Sequence, residues 1–382
     1  MQTASITPKH IPALDGVRGL AVLTIFVFHY GGGTQSSNHI MRWIGTCISA
    51  GWFSLCLFFL LSGFLISGIL WDDSNHPNWW RRFYYRRTLR IFPLYYASLL
   101  LVLLTAIFAH HARLAFTHIW VLLLYLQNIS QLPSSSEAIG TPLPLFHFWS
   151  LAVEEQFYLL WPFLLIACRK ISNARALCLS VFVLSAFFRI SIWIFFTDSM
   201  AYGGLLPARA GELALGSWLA LCYRDPDLWP RIQRLAPSIL SVGFFIFICV
   251  GLFEQSFGLG TQGMFLLGLP CITISMAGLL TLTLGNGLFA RLFSAAWMRW
   301  LGGISYGIYV FHVLLGTVFD WIVATIAPHA SHNITCGLRF IVALTLTLLA
   351  AQISFVFFER PILRLRNRSP RNANKACVEV LS

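Results

Sequence analysis

Charged residues are scarce in this chain of 382 residues. Asp, Glu, Lys and Arg together make up 10% of it, against roughly 25% in a typical soluble protein. Acidic residues are scarcer than basic ones, with 14 Asp and Glu against 26 Lys and Arg, which gives a formal net charge of +12. Hydrophobic residues make up 57%. This composition excludes a sizeable soluble domain and predicts an integral membrane protein.

Clustered cysteines and internal repeats are also lacking. The nine cysteines are scattered, mostly within apolar stretches, without a Cys-x-x-Cys pair, so neither a disulfide framework nor a metal site is expected. The absence of a visible repeat weighs against the duplicated halves of many transporters. The basic residues lie beside hydrophobic segments. This placement indicates that they contact lipid head groups and set the topology of the spans, and no nucleic acid partner is expected.

Apolar segments that could cross a membrane recur along the chain. A crossing helix needs about 17–25 mostly apolar residues, and ten segments fall in that range. They are 12–31, 50–70, 91–109, 147–168, 176–196, 205–222, 237–254, 264–284, 300–320 and 337–358. The fold class that follows is all-α, a polytopic membrane helical bundle of about ten transmembrane helices.

The distribution of Arg and Lys predicts the topology. These residues are dense at 81–90 and 169–175 and sparse in the alternate connections. Because cytoplasmic loops are rich in Arg and Lys, this alternation places both termini in the cytoplasm. It requires that the ambiguous apolar stretch 117–129 does not cross. We expect one membrane domain at 1–362 and a basic, polar cytoplasmic tail at 363–382, which is expected to be disordered.

The first apolar segment carries three ionisable residues. The stretch LDGVRGLAVLTIFVFHY holds Asp15, Arg18 and His29. Arg18 and His29 are eleven residues apart, so on a helix they lie nearly on one face, ~16 Å apart along the axis. Asp15 lies one turn before Arg18 and can pair with it. On spacing alone, a local ion pair with an interfacial histidine is as good an interpretation as a functional site.

Two further segments carry charges at membrane depth. Glu154 and Glu155 lie in HFWSLAVEEQFYLLWP, where adjacent helical residues point ~100° apart, so at most one naturally faces a given partner. Two intramembrane glutamates are costly as structural glue alone, which favours a function. The stretch RRFYYRRTLRIFPLYY holds Arg86, Arg87 and Arg90. Arginine forks suit phosphate, although a topology signal alone would also explain this cluster.

Other polar groups complete the pattern. Ser62 and Gly63 in FFLLSGFLISG indicate close helix approach, while LGGISYGIYVFH holds Tyr306 and His312. A lone histidine in such a helix is as often a hydrogen-bonded structural group as a functional one.

A buried pair is expected elsewhere. Arg209 and Glu212 are three residues apart in PARAGELALG and should pair. Histidines, carboxylates and arginines thus occur in several apolar segments, more than a purely structural bundle needs. They predict a polar cavity within the membrane that serves either transport or catalysis.

Six motifs, taken in order, resemble the signature of the acyltransferase-3 family of integral membrane O-acyltransferases. They are LDGVRGLAVLTIFVFHY, FFLLSGFLI, RRTLRIFPLYY, WSLAVEEQFYLLWP, ISYGIYVFH and FERP. The resemblance covers about residues 12–362. It implies transfer of an acyl group, usually acetyl, from a cytoplasmic donor such as acetyl-CoA to a hydroxyl of an extracytoplasmic glycan or lipid-linked saccharide. Acetyl-CoA is then a co-substrate, and no permanently bound cofactor is expected.

The resemblance also implies roles for individual residues. His29 is the candidate general base or transient acyl carrier, because an imidazole titrates near neutral pH. Arg18 would bind the donor or orient the helix through Asp15. Glu154 would set the tautomer of a histidine or bind the acceptor. Donor phosphates are assigned to Arg86, Arg87 and Arg90, and the cavity lining to Ser62, Glu155, Tyr306 and His312.

The expected location is a multi-pass position in the bacterial inner membrane, in contact with its lipids. The acceptor sugar, the acyl length and the oligomeric state, including a homo-oligomer, stay open. The main alternative is a transporter or flippase of a saccharide or acylated substrate, which would form no ester. A membrane sensor or scaffold is a third class, and it should tolerate loss of His29 and Glu154.

Overall fold

The structure is a computed structural model, and it describes residues 10–32, 39–129, 132, 135–196 and 202–365. Regular structure in these residues is helical, and no β-strand occurs among them. The all-α prediction is therefore confirmed. Of the predicted tail, residues 363 and 364 end the last helix. Residue 365 is also described, and residues 366–382 lie outside the described residues.

The helices are named here in chain order. They are α1 Pro12–Tyr30, α2 His39–Ser49, α3 Phe53–Asp73, α4 Trp79–Phe108, α5 Ala112–His118, α6 Trp120–Leu123, α7 Ser136–Ile139, α8 Trp149–Ala167, α9 Ile171–Phe195, α10 Leu206–Cys222, α11 Trp229–Phe253, α12 Leu269–Thr283, α13 Leu288–Phe293, α14 Ala296–Gly303, α15 Ser305–Leu314, α16 Gly316–Ile326, α17 His332–Ser354 and α18 Arg360–Arg364. Single 3₁₀ turns span Ala50–Trp52 and Phe146–Phe148, and π-helical turns span Met264–Gly268 and Phe355–Glu359.

Eight helical segments of the described chain are long and apolar enough to cross a membrane. They are Pro12–Tyr30, Arg42–Asp73, Trp79–Phe108, Phe146–Ala167, Ile171–Phe195, Trp229–Phe253, Met264–Thr283 and His332–Arg364. The pair α15 and α16, bent by 59°, makes a ninth if it forms one span. The chain is thus an integral, multi-pass membrane protein. The count of ten and the cytoplasmic termini stay predictions.

Two predicted segments differ from an ordinary span. Helix α10, at the predicted segment 205–222, has 17 residues and a length of about 25 Å, short of the ~30 Å hydrocarbon core. Most of its side chains are buried inside the bundle. The helical part of the stretch 117–129 belongs to the short helices α5 and α6, and its residues 124–129 are turns and irregular structure. A hydrogen bond from the Tyr95 hydroxyl to the Leu122 carbonyl oxygen joins α6 to α4. Helices α5 and α6 are too short to cross, as the charge pattern requires.

Proline placement explains several helix ends. Pro12, Pro207 and Pro230 lie in the first turns of α1, α10 and α11, where a missing N–H costs no intrahelical hydrogen bond. Pro93 and Pro162 lie inside α4 and α8. Such interior prolines are tolerated in membrane helices because neighbouring groups satisfy the freed carbonyls.

Helices α3 and α10 cross at glycines. A methyl group at Gly63 would lie 2.7 Å from the Leu213 carbonyl carbon, and one at Gly216 would lie 2.7 Å from that of Leu60. The two backbones therefore touch, with each glycine facing the other helix. In lipid no hydrophobic effect drives helices together, so they associate through close van der Waals packing, which small residues permit. The approach indicated by the Ser62-Gly63 pair is present.

A second close contact joins α1 to α14. A methyl group at Gly302 would lie 2.5 Å from the Asp15 carbonyl carbon, and one at Gly19 would lie 3.2 Å from the Gly302 nitrogen. Helix α1 is also buried against α3, α13 and α15 along the face that includes Val17 and Ala21. The helix that carries Arg18 and His29 is therefore held inside the bundle over most of its length.

Ion pairs connect the helix ends at one side of the bundle. Asp72, at the end of α3, pairs with Arg224 at 2.6 Å. Asp225 accepts hydrogen bonds from the Leu228 backbone N–H at 3.0 Å and from Arg175 at 2.8 Å. These bonds lower the pKa of Asp225, the backbone bond most, because they favour the charged carboxylate. The pairs join α3, α9 and α10 through the connection that follows α10.

Candidate active site

Two histidines from distant parts of the sequence meet at one end of α1. His29 lies in the last turn of α1, and His312 lies in α15 with its side chain fully buried. The His29 Nδ1 atom is 3.2 Å from the His312 Nε2 atom. His29 Nδ1 is also 3.0 Å from the Ile25 carbonyl oxygen. His312, predicted only as a cavity residue, is thus in direct contact with the candidate base.

The backbone around His312 is anchored to α1. The Tyr30 hydroxyl donates a hydrogen bond to the His312 carbonyl oxygen. The Tyr30 ring stacks on Phe26, with the ring centroids 4.9 Å apart. Because Tyr30 follows His29 in sequence, α1 and α15 are joined by two adjacent contacts. One joins the two histidine side chains, and the other runs from the Tyr30 hydroxyl to the His312 backbone carbonyl oxygen.

His147 completes a group of three imidazoles, which we call the imidazole cluster: His29, His147 and His312. The ring of His147 is buried, with its centroid 5.5 Å from that of His312. Tyr309 donates from its hydroxyl to the His147 carbonyl oxygen and is 2.7 Å from the Ser150 hydroxyl. Sequence reasoning missed His147, although it opens the HFWSLAVEEQ motif.

Helix α8 leads from the imidazole cluster to the carboxylates. Ser150 and Glu154 lie one turn apart on it, so they share a face. Glu154 Oε1 accepts a hydrogen bond of 2.6 Å from the Ser62 hydroxyl of α3. Among the hydrogen bonds of the described chain, the partner of Glu154 is therefore a serine. No hydrogen bond between Glu154 and a histidine occurs among the described residues, so the expected control of a histidine tautomer by Glu154 has no direct contact to support it.

Glu155 points in another direction. Its Oε1 atom is buried and has no hydrogen-bond partner among the described residues, while its charge interacts with those of Arg87 and Glu154. Tyr306, the neighbouring cavity prediction, donates its hydroxyl to the Ile91 carbonyl oxygen at 2.8 Å. The two predicted cavity residues thus line the interior between α4, α8 and α15.

Three arginines form a second group, which we call the arginine cluster: Arg18, Arg87 and Arg90. Arg18 comes from α1 and the other two from α4, and their charges lie close enough to interact. The Arg87 guanidinium also stacks 3.7 Å from the Tyr158 ring centroid. Arg86 lies one turn before Arg90 with a half-buried side chain. Like charges held together repel, so an anion bound among them would be stabilised.

Asp15 compensates this charge only in part. Its Oδ1 atom is 4.0 Å from Arg18, the outer limit of an ion pair, whereas its Oδ2 atom is 2.7 Å from the His10 ring. The local pair expected from the spacing of Asp15 and Arg18 is therefore loose.

A separate ion pair lies outside this site. Arg209 and Glu212 are both 2% exposed, and Arg209 Nε is 3.2 Å from Glu212 Oε1. The pairing expected from their spacing is confirmed. The Arg209 guanidinium lies 5.5 Å and 5.7 Å from the rings of Phe59 and Trp149. The pair thus lies where α10 packs against Phe59 of α3 and Trp149 of α8.

The two clusters stand at different depths along α1. Arg18 and His29 are eleven residues apart, which corresponds to ~16 Å of helix. Glu154 and Ser62 belong to the same interior, since the charge of Glu154 reaches Arg18 while Ser150, one turn away, reaches Tyr309. A polar interior thus runs from the arginine cluster to the imidazole cluster, with the Glu154 carboxylate between them.

The sequence has relatives of known name. The acyltransferase domain family matches residues 11–358. Peptidoglycan O-acetyltransferase OatA of Listeria monocytogenes is 29% identical in an alignment of 380 positions that covers 94% of this chain and 57% of that protein. The putative peptidoglycan O-acetyltransferase YrhL of Bacillus subtilis is 28% identical, with coverages of 93% and 55%. O-acetyltransferase OatA of Staphylococcus aureus is 27% identical, with coverages of 93% and 58%.

The chain therefore spans a little more than half the length of these curated relatives. No solved structure matches it. The family match nevertheless covers nearly all of the helical bundle, including every motif that the sequence analysis singled out up to Phe358. The chain belongs to the acyltransferase-3 family of integral membrane acyltransferases.

Proposed function

We propose that this protein transfers an acetyl group from acetyl-CoA to a hydroxyl of a cell-wall glycan of the peptidoglycan class. The observation that carries the proposal is the placement of the imidazole cluster and the arginine cluster along one buried helix, α1. The names of the Listeria and Bacillus relatives, both peptidoglycan O-acetyltransferases, support the acetyl group and the acceptor class.

The reaction requires one proton acceptor. The glycan hydroxyl oxygen attacks the thioester carbonyl carbon while His29 takes the hydroxyl proton. The carbon–oxygen ester bond forms, the carbon–sulfur bond breaks, and the proton returns from His29 to the CoA thiolate. In the covalent variant, His29 itself attacks the thioester first and then passes the acyl group to the hydroxyl. Both routes place the reacting carbon beside the imidazole cluster.

The arginine cluster suits the donor. CoA carries phosphate groups, and guanidinium groups bind phosphate through paired, charge-assisted hydrogen bonds. We assign Arg87 and Arg90 to these phosphates, with Arg18 beside them and Arg86 on the same helix. An extended pantetheine arm would then carry the thioester along α1 towards His29. The topology predicted from Arg and Lys has this donor entering from the cytoplasm.

Ester formation by purified protein is the direct test. The protein, reconstituted in liposomes with radiolabelled acetyl-CoA and soluble peptidoglycan fragments, should release fragments that carry base-labile acetyl. We expect His29→Ala to lower the rate at least ~100-fold, within the usual range for a general base. His332→Ala, at an exposed histidine of α17, is the matched control. Full activity of His29→Ala would refute the proposal.

The same assay separates the main alternative. A transporter or flippase would move labelled saccharide across the liposome membrane and form no ester. The donor assignment has its own readout, since Arg87→Gln and Arg90→Gln should raise the KM for acetyl-CoA more than they lower kcat. An unchanged KM in both variants would contradict it. The bacterial cytoplasmic membrane is the location that this donor and acceptor require.

A further inference from the structure

One of the two ring nitrogens of His312 is hydrogen-bonded to backbone carbonyl groups. Its Nδ1 atom is 2.7 Å from the Tyr309 carbonyl oxygen and 3.1 Å from that of Ile308. A carbonyl oxygen can only accept, so Nδ1 must carry the proton. His312 is fully buried, and a second proton would place an unpaired charge in the interior at high cost. The Nε2 atom of His312 is therefore an unprotonated acceptor.

This acceptor dictates the protonation of its neighbour. His29 Nδ1 lies 3.2 Å from His312 Nε2, and two nitrogen lone pairs at that distance would repel each other. His29 Nδ1 must therefore donate, and the Ile25 carbonyl oxygen at 3.0 Å accepts from the same atom. Neutral imidazole carries one N–H only, so His29 Nε2 is left with its lone pair.

We infer that His312 is a positioning residue that holds His29 in the Nδ1–H tautomer, so that His29 Nε2 is the atom that receives the acceptor's proton. This inference rests on the proposed function for its role in catalysis. Carbonyls of α15 hold His312, His312 holds Nδ1 of His29, and Nε2 of His29 remains for the substrate. In the covalent variant, the same Nε2 atom would carry the acyl group.

The arrangement also stabilises the charged state of His29. When Nε2 takes the hydroxyl proton, His29 becomes an imidazolium whose Nδ1–H already points at a neutral nitrogen. That bond then becomes charge-assisted and stronger. Ser62, and not His29, is the hydrogen-bond partner of Glu154, so the orienting role usual for a carboxylate falls here on a second imidazole.

The inference is tested with two substitutions that differ in one property. In His312→Gln, the side-chain oxygen can lie near the former Nε2 position and still accept from His29. In His312→Leu, a side chain of similar bulk cannot accept. We expect His312→Leu to lower kcat on the order of 10- to 100-fold, part of the 10²–10⁴ typical of general base catalysis. His312→Gln should recover most of that loss.

The tautomer itself is read without turnover. Nitrogen NMR of protein labelled at its 11 histidines, with His29 assigned from a His29→Asn variant, distinguishes a protonated Nδ1 from a protonated Nε2. We expect Nδ1–H in the wild type and in His312→Gln, and a shift towards Nε2–H in His312→Leu. Because this signal needs no acetylation, it tests the inference even if the proposed function fails.

Each outcome decides the inference. A wild type with the proton on His29 Nε2, or a His312→Leu variant that keeps the wild-type tautomer, would overturn it. Where the wild type acetylates, equal activities of the two folded variants would also overturn it. If His312→Leu does not fold, the wild-type spectrum and His312→Gln still decide. Loss of the Nδ1–H signal in His312→Gln would then count against the inference.

Discussion

One added methyl group at the crossing of α3 and α10 tests whether the backbone contact between these helices positions the candidate active site. In Gly63→Ala, the new Cβ atom would lie 2.7 Å from the Leu213 carbonyl carbon, where ordinary carbon contacts are ~3.5–4.0 Å. The obstacle is backbone and not a flexible side chain. The Leu213 carbonyl oxygen lies closer still, so the two helices would have to separate by at least ~1 Å, against the reciprocal contact at Gly216.

The expected cost combines two opposing effects. Overpacking costs roughly 1–3 kcal/mol, and a rigid backbone obstacle favours the upper end. Alanine in place of glycine inside a helix returns about 1 kcal/mol. We expect the free energy of unfolding to fall by about 2 kcal/mol, which lowers the Tm of a chain of this length by about 2–3 °C.

The same substitution should affect catalysis. Ser62 precedes Gly63 and donates the 2.6 Å hydrogen bond to Glu154. A movement of α3 by about 1 Å exceeds what that bond tolerates, since hydrogen bonds weaken steeply beyond their usual length. We expect the rate of acetyl transfer to fall about tenfold even at temperatures where the variant is fully folded.

The assay compares thermal unfolding and activity in one detergent. Gly337→Ala is the matched control, because it lies in α17 and a methyl group there meets no atom within 4 Å. That control should be as stable as the wild type or slightly more stable, with unchanged activity. A Gly63→Ala variant with the stability and rate of Gly337→Ala would refute the reasoning. It would show that the helices are not in backbone contact.

Three further predictions follow from single contacts. Ser62→Ala should lower the acetylation rate about tenfold, measured with labelled acetyl-CoA, and Ser62→Thr should restore most of it, since it keeps the hydroxyl donor to Glu154. Glu212→Gln should cost about 3–5 kcal/mol in unfolding experiments, because it leaves the buried Arg209 charge unpaired. Removing both charges in Arg209→Met with Glu212→Leu should cost less, and equal losses would contradict this. Asp225 has a lowered folded-state pKa, so its charge stabilises the protein above the unfolded pKa and that contribution disappears as pH falls through the folded pKa. The Tm of Asp225→Asn should therefore lie below that of the wild type at pH 7 and converge with it in acid.

The positions of the helices along the sequence were predictable because lipid surrounds them. In lipid each backbone N–H and C=O must bond within its own segment, so a long apolar run becomes a helix wherever it occurs. Every one of the ten predicted segments overlaps a helix of the structure. Helix α10 shows the limit of this rule. Its 17 residues are apolar enough to be found, yet it is short and mostly buried among neighbours.

Contacts within one helix were predictable in part. Arg209 and Glu212 pair because residues three apart share a face, and burial removes competing partners. Asp15 and Arg18 have the same spacing but stand at 4.0 Å, because Asp15 binds His10 instead. Spacing alone establishes which groups can meet, and the surroundings decide whether they do.

Contacts between helices were decided by tertiary structure. The sequence determined that α1 is a membrane helix with Arg18 and His29 on nearly one face, because helical geometry is local. It did not determine that His312, 283 residues away, faces His29, or that Glu154 faces Ser62. The rotation of each helix about its axis depends on backbone contacts such as that at Gly63, and lipid is as apolar as the helix surfaces it surrounds. Hydrophobic pattern therefore carries little information on which faces meet, and only the packed bundle shows it.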